Sequence, residues 1–346
     1  MQSVLRNILK RGRLLLLWSA IILLGGVASS RAELQFEVFL GYDGTVREAS
    51  WFPIVCEIRN DGAPFAGVID SVDVEVGSAV KTVKPGQFVV GSFCLSDNTC
   101  PHCRFGFQSS CEQREFMSHA QAPYARVPLA DGTLVSTTEM PADDLIPSLL
   151  AASDVLGTGW YAAAAARAGP GVTAVVVGDG AVGLMAVLAA KQMGAGRIIA
   201  MSRHKTRQDL ALEYGATHIV SERGDAGVAR IKELTNNVGA ESVLECVGTK
   251  ESIAQAMSCA RPGGHIGFVG VPHGVQFDGR ELFAAQKNLL GGPAPVRRFL
   301  PHLMELILER QINPGKVFDL TLPLADVAEG YRAMDERRAI KTLLRV

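Results

Sequence analysis

The stretch SDNTCPHCRFGFQSSC, residues 96–111, gathers three cysteines, an aspartate and a histidine into one short segment. Thiolates and carboxylates are donors that zinc accepts, and the spacing Asp97-x2-Cys100-x2-Cys103-x7-Cys111 is tight enough to wrap one tetrahedral ion. The alternatives are reduced cysteines without metal or, in an exported chain, disulfides.

A second motif, VTAVVVGDGAVG, belongs to a different chemistry. An apolar run, 173–177, leads into Gly178-x-Gly180-x-x-Gly183 and then into a helical stretch. The glycines permit a tight turn and close approach of backbone to a pyrophosphate. The helix start, at Ala181 and Val182, supplies N–H donors. The next strand bears on which dinucleotide binds. An NAD site expects a carboxylate about twenty positions on, to bond the ribose hydroxyls. This chain reads Met201-Ser202-Arg203-His204-Lys205-Thr206-Arg207, with no carboxylate after that strand before Asp209. A carboxylate there would repel a 2′-phosphate, whereas Arg203, with Ser202, His204 and Arg207 beside it, would bind one. NADP is therefore the expected cofactor, and a solvated basic loop is the bland alternative.

The elements that must position these residues fall into two grammars. After residue 150, short apolar runs alternate with helical stretches, at 173–177, 197–201, 217–220, 242–247, 265–271 and 288–290. That alternation predicts an α/β fold with a doubly wound parallel Rossmann sheet. Two amphipathic helices, 299–310 and 324–335, and a closing strand, 341–346, follow. Before residue 150 the text is β-like and glycine-punctuated, in VDVEVGSAV, PGQFVVGSF and YARVPLADGTLV. From 33 to 70, alternating apolar residues such as Leu34, Phe36, Val38 and Leu40 predict two or three strands. Residues 1–32 are different in kind: Arg6, Lys10, Arg11 and Arg13 precede an apolar run ending at Val27, and Ser30-Arg31-Ala32 offers a cleavage site. That is the layout of a secretory signal peptide, with an uncleaved membrane anchor or a buried helix as alternatives. The chain of 346 residues is 48% hydrophobic and carries 34 basic against 35 acidic residues. Real cores are expected, and nothing in the charge balance argues for nucleic acid or an anionic membrane. A small molecule is the better partner.

From about residue 72 to the C-terminus the chain resembles the zinc-dependent medium-chain alcohol dehydrogenase family. The resemblance lies in VGSAVKTVKPGQFVV, the cysteine lobe, ASDVLGTGWYAA, the glycine turn, LECVG, GGHIGFVGVP and AIKTLLRV. It implies a truncated GroES-like β-rich domain at 71–150, a Rossmann domain at 151–292, and a C-terminal return to the first domain at 293–346. It implies that the lobe's zinc is structural, with Asp97 where the family has a cysteine and Cys94 or His102 as substitute ligands. By the same resemblance Asp154 matches a ligand of a catalytic zinc, although by itself it reads equally as a helix cap. Thr158 matches a residue beside the nicotinamide, and Lys341 a basic residue near the cofactor phosphates. Val247, Gly248, Val269, Gly270 and Val271 would line the cofactor. A homo-oligomer through the edge strand near Leu289–Pro295 is implied by analogy alone.

The pattern breaks upstream. The family's other catalytic zinc ligands, a cysteine and the histidine of a Gly-His-Glu, precede the lobe, but here the first histidine of the chain is His102 and the only cysteine before Cys94 is Cys56, in IVCEIRN. A catalytic zinc needs three protein ligands and an open position. The expected activity is interconversion of small alcohols and aldehydes or ketones, impaired by loss of that site. Two alternatives are a zinc-free quinone or alkene reductase and a non-catalytic nucleotide-binding fusion product. A further one is an exported binding module. Residues 33–70 match nothing in the family, which suggests a chimeric N-terminus joined near residues 66–75. The family's chemistry points to the cytoplasm and the leader to export.

Overall fold

A computed structural model describes the backbone of residues 34–40 and 54–60, and residues 77, 79–117 and 120–346. The leader-like segment and the expected join at 66–75 lie outside the described residues. The chain divides into two compact units, Met1–Asp73 and Val74–Val346. In the first, β1 (Leu34–Leu40) pairs antiparallel with β2 (Ile54–Asn60), with Leu34 opposite Asn60 and Leu40 opposite Ile54. Cys56 lies on β2, opposite Val38.

The second unit begins with short ladders. β3 (Val89–Gly91) pairs with β6 (Leu134–Ser136), and β4 (Cys94–Leu95) pairs with β5 (Glu115–Phe116), both antiparallel. The β-like reading of YARVPLADGTLV holds only at its end, because 130–133 form a helical turn. There Thr133 Oγ1 accepts from the Ser96 N–H at 3.1 Å, which ties the turn to the start of the metal lobe.

Beyond residue 170 the expected alternation appears as six parallel strands: β7 (Thr173–Val177), β8 (Arg197–Met201), β9 (His218–Val220), β10 (Ala240–Glu245), β11 (Ala260–Phe268) and β12 (Asn288–Gly291). They lie in the order β12-β11-β10-β7-β8-β9. The order reverses between β7 and β10, and in open α/β sheets ligands bind outside the carboxyl ends of the strands at such a switch point. Helices cover both faces. Helices 155–165, 181–192 and 296–308 bury Leu156, Met185 and Leu300 with Val176 on one side. On the other, Ile231 and Met257 meet Val175, Val243 and Ile266. These strands read as continuous apolar runs because both faces are covered. β13 (Phe318–Pro323) and β14 (Lys341–Arg345) form a parallel pair at the end of the chain. Among the described residues no helix is long and apolar enough to cross a membrane.

Candidate active site and metal lobe

The glycine turn joins β7 to the helix Ala181–Gln192, at the switch point. A Cβ on Gly183 would lie 2.1 Å from the Gly178 carbonyl oxygen, so this position requires glycine for the helix to start so close to the strand. The opposite wall is built at the end of β10. Glu245 there is completely buried. Its Oε1 accepts from the Val247 N–H at 2.9 Å, the Gly248 N–H at 2.8 Å and the Ser252 hydroxyl at 2.7 Å. Its Oε2 is buried without a hydrogen-bond partner. These bonds turn the chain out of the strand, which is why β10 stops before the expected Val247. Gly248 has φ +88°, and a Cβ there would meet the Val271 carbonyl at 2.2 Å. The loops carrying Val247–Gly248 and Val269–Gly270–Val271 therefore touch, with the Val269 N–H donating to the Glu245 carbonyl at 2.9 Å. Val247 and Val271 remain exposed at the ends of the strands. Glu245 was not singled out from the sequence; its signal is an acid inside the apolar run SVLECV.

The basic segment after β8 is organised by a residue of the glycine turn. Asp179 Oδ2 accepts from the Ser202 hydroxyl at 2.8 Å and from the Arg203 N–H at 3.4 Å. Arg207 Nη1 donates to Oδ1 at 3.4 Å, and Arg223 Nη2 lies 4.0 Å from Oδ2. Burial pushes the Asp179 carboxyl up, but the Ser202 hydroxyl and the nearby Arg207, Arg223 and His204 outweigh it and hold it below the usual carboxylate range. Arg207 is buried and also donates to the Ala339 carbonyl at 3.5 Å, so it joins the turn to the C-terminal segment. Arg203 is exposed, and His204 pairs with Arg337 at 3.0 Å.

The metal lobe follows β4. Asp97, Cys100, Cys103 and Cys111 bring one donor atom each to within 4.8 Å of one another. The Cys100 and Cys111 sulfurs are 3.9 Å apart, and Asp97 Oδ1 lies 3.4 Å from the Cys111 sulfur. Zinc–sulfur bonds of about 2.3 Å at tetrahedral angles put sulfurs about 3.8 Å apart, so the four donors fit such an ion. Asp97 is pre-set for the role. The N–H groups of Thr99 and Cys100 reach its Oδ1 at 2.8 and 3.0 Å. Led by the Thr99 bond, they hold its carboxyl down at about 2. Cys94 and His102 are not in the donor group. Cys94 lies on β4, and burial pushes its thiol up to about 11.

Asp154 occupies the N-cap position of the helix Val155–Ala165 without capping it. Its Oδ1 accepts instead from the Thr158 hydroxyl, at 3.4 Å. Asp154 lines a cavity of about 760 Å³, walled by Phe93, Val127 and Leu150 among others. Among the described lining residues it is the only carboxylate, Lys341 is the only cation, and there is no histidine or cysteine. Among these described residues Asp154 is thus the one side chain of a kind that a catalytic zinc takes.

The described residues thus combine a sheet that reverses order at a glycine turn, suited to a dinucleotide, with a four-donor lobe able to hold a zinc ion. Comparison with known proteins agrees. The zinc-binding dehydrogenase family matches residues 181–309. A domain of unknown function, DUF8726, matches residues 33–89. The chain is 31% identical over 285 residues to zinc-type alcohol dehydrogenase B of Aspergillus flavus, covering 79% of this chain and 66% of that relative. A probable zinc-binding alcohol dehydrogenase of Mycobacterium tuberculosis is 33% identical over 266 residues, 75% of this chain and 67% of its own. An NADP-dependent isopropanol dehydrogenase of Clostridium beijerinckii is 33% identical over 261 residues, 70% of this chain and 72% of its own. The solved structure of alcohol dehydrogenase TADH from Thermus sp. ATN1 superposes with a TM-score of 0.71 at 28% identity, over 78% of this chain and 82% of that one. The chain belongs to the zinc-type alcohol dehydrogenase family of oxidoreductases, and it spans about two thirds of the length of the first two of these relatives.

Proposed function

We propose that this chain is an NADP-dependent oxidoreductase acting on small alcohols and the corresponding aldehydes or ketones. The observation that carries the reading is the glycine turn at the switch point, with Ser202 and the exposed Arg203 at the end of the neighbouring strand. The Clostridium relative, named for NADP dependence, supports the choice of nucleotide. When bound, the nicotinamide supplies or accepts the hydride. The residues of the chain have the tasks of holding and orienting. Gly178, Gly180 and the N–H groups of Ala181, Val182 and Gly183 would take the pyrophosphate. Val247, Gly248, Val269, Gly270 and Val271 would form the opposite wall. Thr158, hydrogen-bonded to Asp154, would lie beside the reacting ring. Lys341 lines the same cavity as Asp154 and would complement an anionic group there.

The lobe of Asp97, Cys100, Cys103 and Cys111 would hold a structural zinc. Asp154 is the only zinc-type donor among the described residues of its cavity, which supports an impaired catalytic zinc site and weak turnover. The division into a partial GroES-like region, a Rossmann domain and a C-terminal return belongs to the same reading. So does a homo-oligomer formed along β12, which is an edge of the large sheet. The test pairs zinc analysis of the purified chain with NADPH binding and aldehyde-dependent NADPH oxidation. One zinc per chain with NADPH binding and little turnover is expected. Two zincs with rapid turnover would overturn the claim of an impaired site.

A further inference from the structure

The sequence has no carboxylate at the end of the second Rossmann strand, and the fold brings one there by another route. Asp179, between the first two glycines of the turn, places Oδ2 against Ser202 Oγ and the Arg203 N–H, the first two residues after β8. Ser202 is completely buried, and the Asp179 side chain is only 12% exposed. The carboxylate is fixed in place from several directions at once. It stands where an acidic residue of the strand end would meet the adenosine ribose.

The surrounding charges are opposite in sign. Arg207 and Arg223 face Asp179 directly. The guanidinium of Arg223 is held below its usual range, first by burial and then by the neighbouring cations Arg203 and Arg337, against the pull of Asp179. Two guanidiniums, Arg207 and Arg223, therefore face the carboxylate, and Arg203 and Arg337 lie close enough to Arg223 to act on it. Arg203 and Arg337 are exposed, and neither guanidinium is paired with Asp179, so both have charge left for an incoming anion.

We propose that Asp179 is the dinucleotide-specificity residue of this chain: it supplies the ribose-facing carboxylate from the glycine turn, and Arg203, Arg223 and Arg337 receive a 2′-phosphate in spite of it. The inference rests on the dinucleotide reading above and refines it. The site takes both NADH and NADPH, and Asp179 limits the preference for NADPH. An unphosphorylated ribose can donate to Asp179, whereas a 2′-phosphate is repelled by it and attracted by the arginines. A like charge within a few ångströms is costly even in a partly hydrated site.

The test is fluorescence titration of the full chain with NADH and with NADPH, for the wild type, Asp179→Asn and Arg203→Gln. Asparagine keeps one oxygen for Ser202 and removes the charge. Asp179→Asn should raise the ratio of NADPH to NADH affinity about tenfold or more, and Arg203→Gln should lower it by a similar factor. Arg203 is exposed, so its variant reads the site even where loss of Asp179 impairs folding. Equal weakening of both nucleotides in Asp179→Asn, or an unchanged ratio, overturns the inference and leaves Asp179 a positioning residue only. A wild type that prefers NADH, with the ratio still rising in Asp179→Asn, overturns the NADP preference proposed above and upholds the role of Asp179. A wild type that binds neither nucleotide overturns both.

Discussion

Replacing Glu245 by alanine should loosen the turn after β10, which in the proposed function forms a wall of the cofactor site. The side chain is fully buried, and one oxygen serves the N–H groups of Val247 and Gly248 and the Ser252 hydroxyl. Val247 is partly exposed and Ser252 Oγ keeps a second partner in the Thr249 carbonyl, so water and that bond take up part of the loss. The Gly248 N–H, in a buried bond, is left without an acceptor. One to two orphaned donors at about 2 kcal/mol each, the middle of the range for a buried group left without a partner, give a net loss of about 2–4 kcal/mol. At roughly 2–4 °C per kcal/mol for a domain of this size, the thermal midpoint should fall by about 5–15 °C. Glu245→Gln keeps the accepting oxygen and adds only an amide where Oε2 already had no partner, so it should lose less than half as much. Calorimetry of the three proteins checks the order, and NADPH titration should show at least a tenfold weakening in the alanine variant. A glutamine variant as damaged as the alanine one would refute the reasoning, because the carboxylate would then act through its charge. So would an alanine variant within about 2 °C of wild type.

The metal lobe gives a paired prediction: Cys103→Ala should lose zinc and Cys94→Ala should keep it, as read by metal analysis, because only the former belongs to the four-donor group. Gly183→Ala should abolish measurable NADPH binding, since its Cβ would sit 2.1 Å from the Gly178 carbonyl, and circular dichroism should show the sheet retained. Asp154→Asn should leave zinc content and NADPH affinity unchanged, as read by metal analysis and NADPH titration, because Asp154 lies outside the four-donor group and asparagine keeps an oxygen for the Thr158 hydroxyl.

How far the site can be read from the sequence depends on whether its signals are local. The Rossmann strands are apolar runs of distinct length separated by helical stretches, and the glycine turn is continuous in the chain. Both were legible in type and order, although β11 spans Ala260–Phe268 where 265–271 was expected, and the donor group from Asp97 to Cys111 was legible residue by residue because it spans a single loop. What escaped is carried by contacts between segments. β10 ends two residues early because a buried carboxylate captures two amides, and no propensity of Cys246 or Val247 encodes that. Arg207 looks in sequence like a phosphate ligand beside Arg203, yet the fold turns it inward onto Asp179 and the Ala339 carbonyl, 132 residues away. Asp179 itself reads as a filler between two glycines until β8 is laid next to β7. Charge is countable in a sequence, but the sign presented to a ligand depends on which charges cancel one another. In this chain the carboxylate sought at the end of one strand is delivered from the turn after its neighbour. The nucleotide preference should accordingly follow the pairing of Asp179 with its arginines rather than the identity of any residue in Ser202–Arg207 alone.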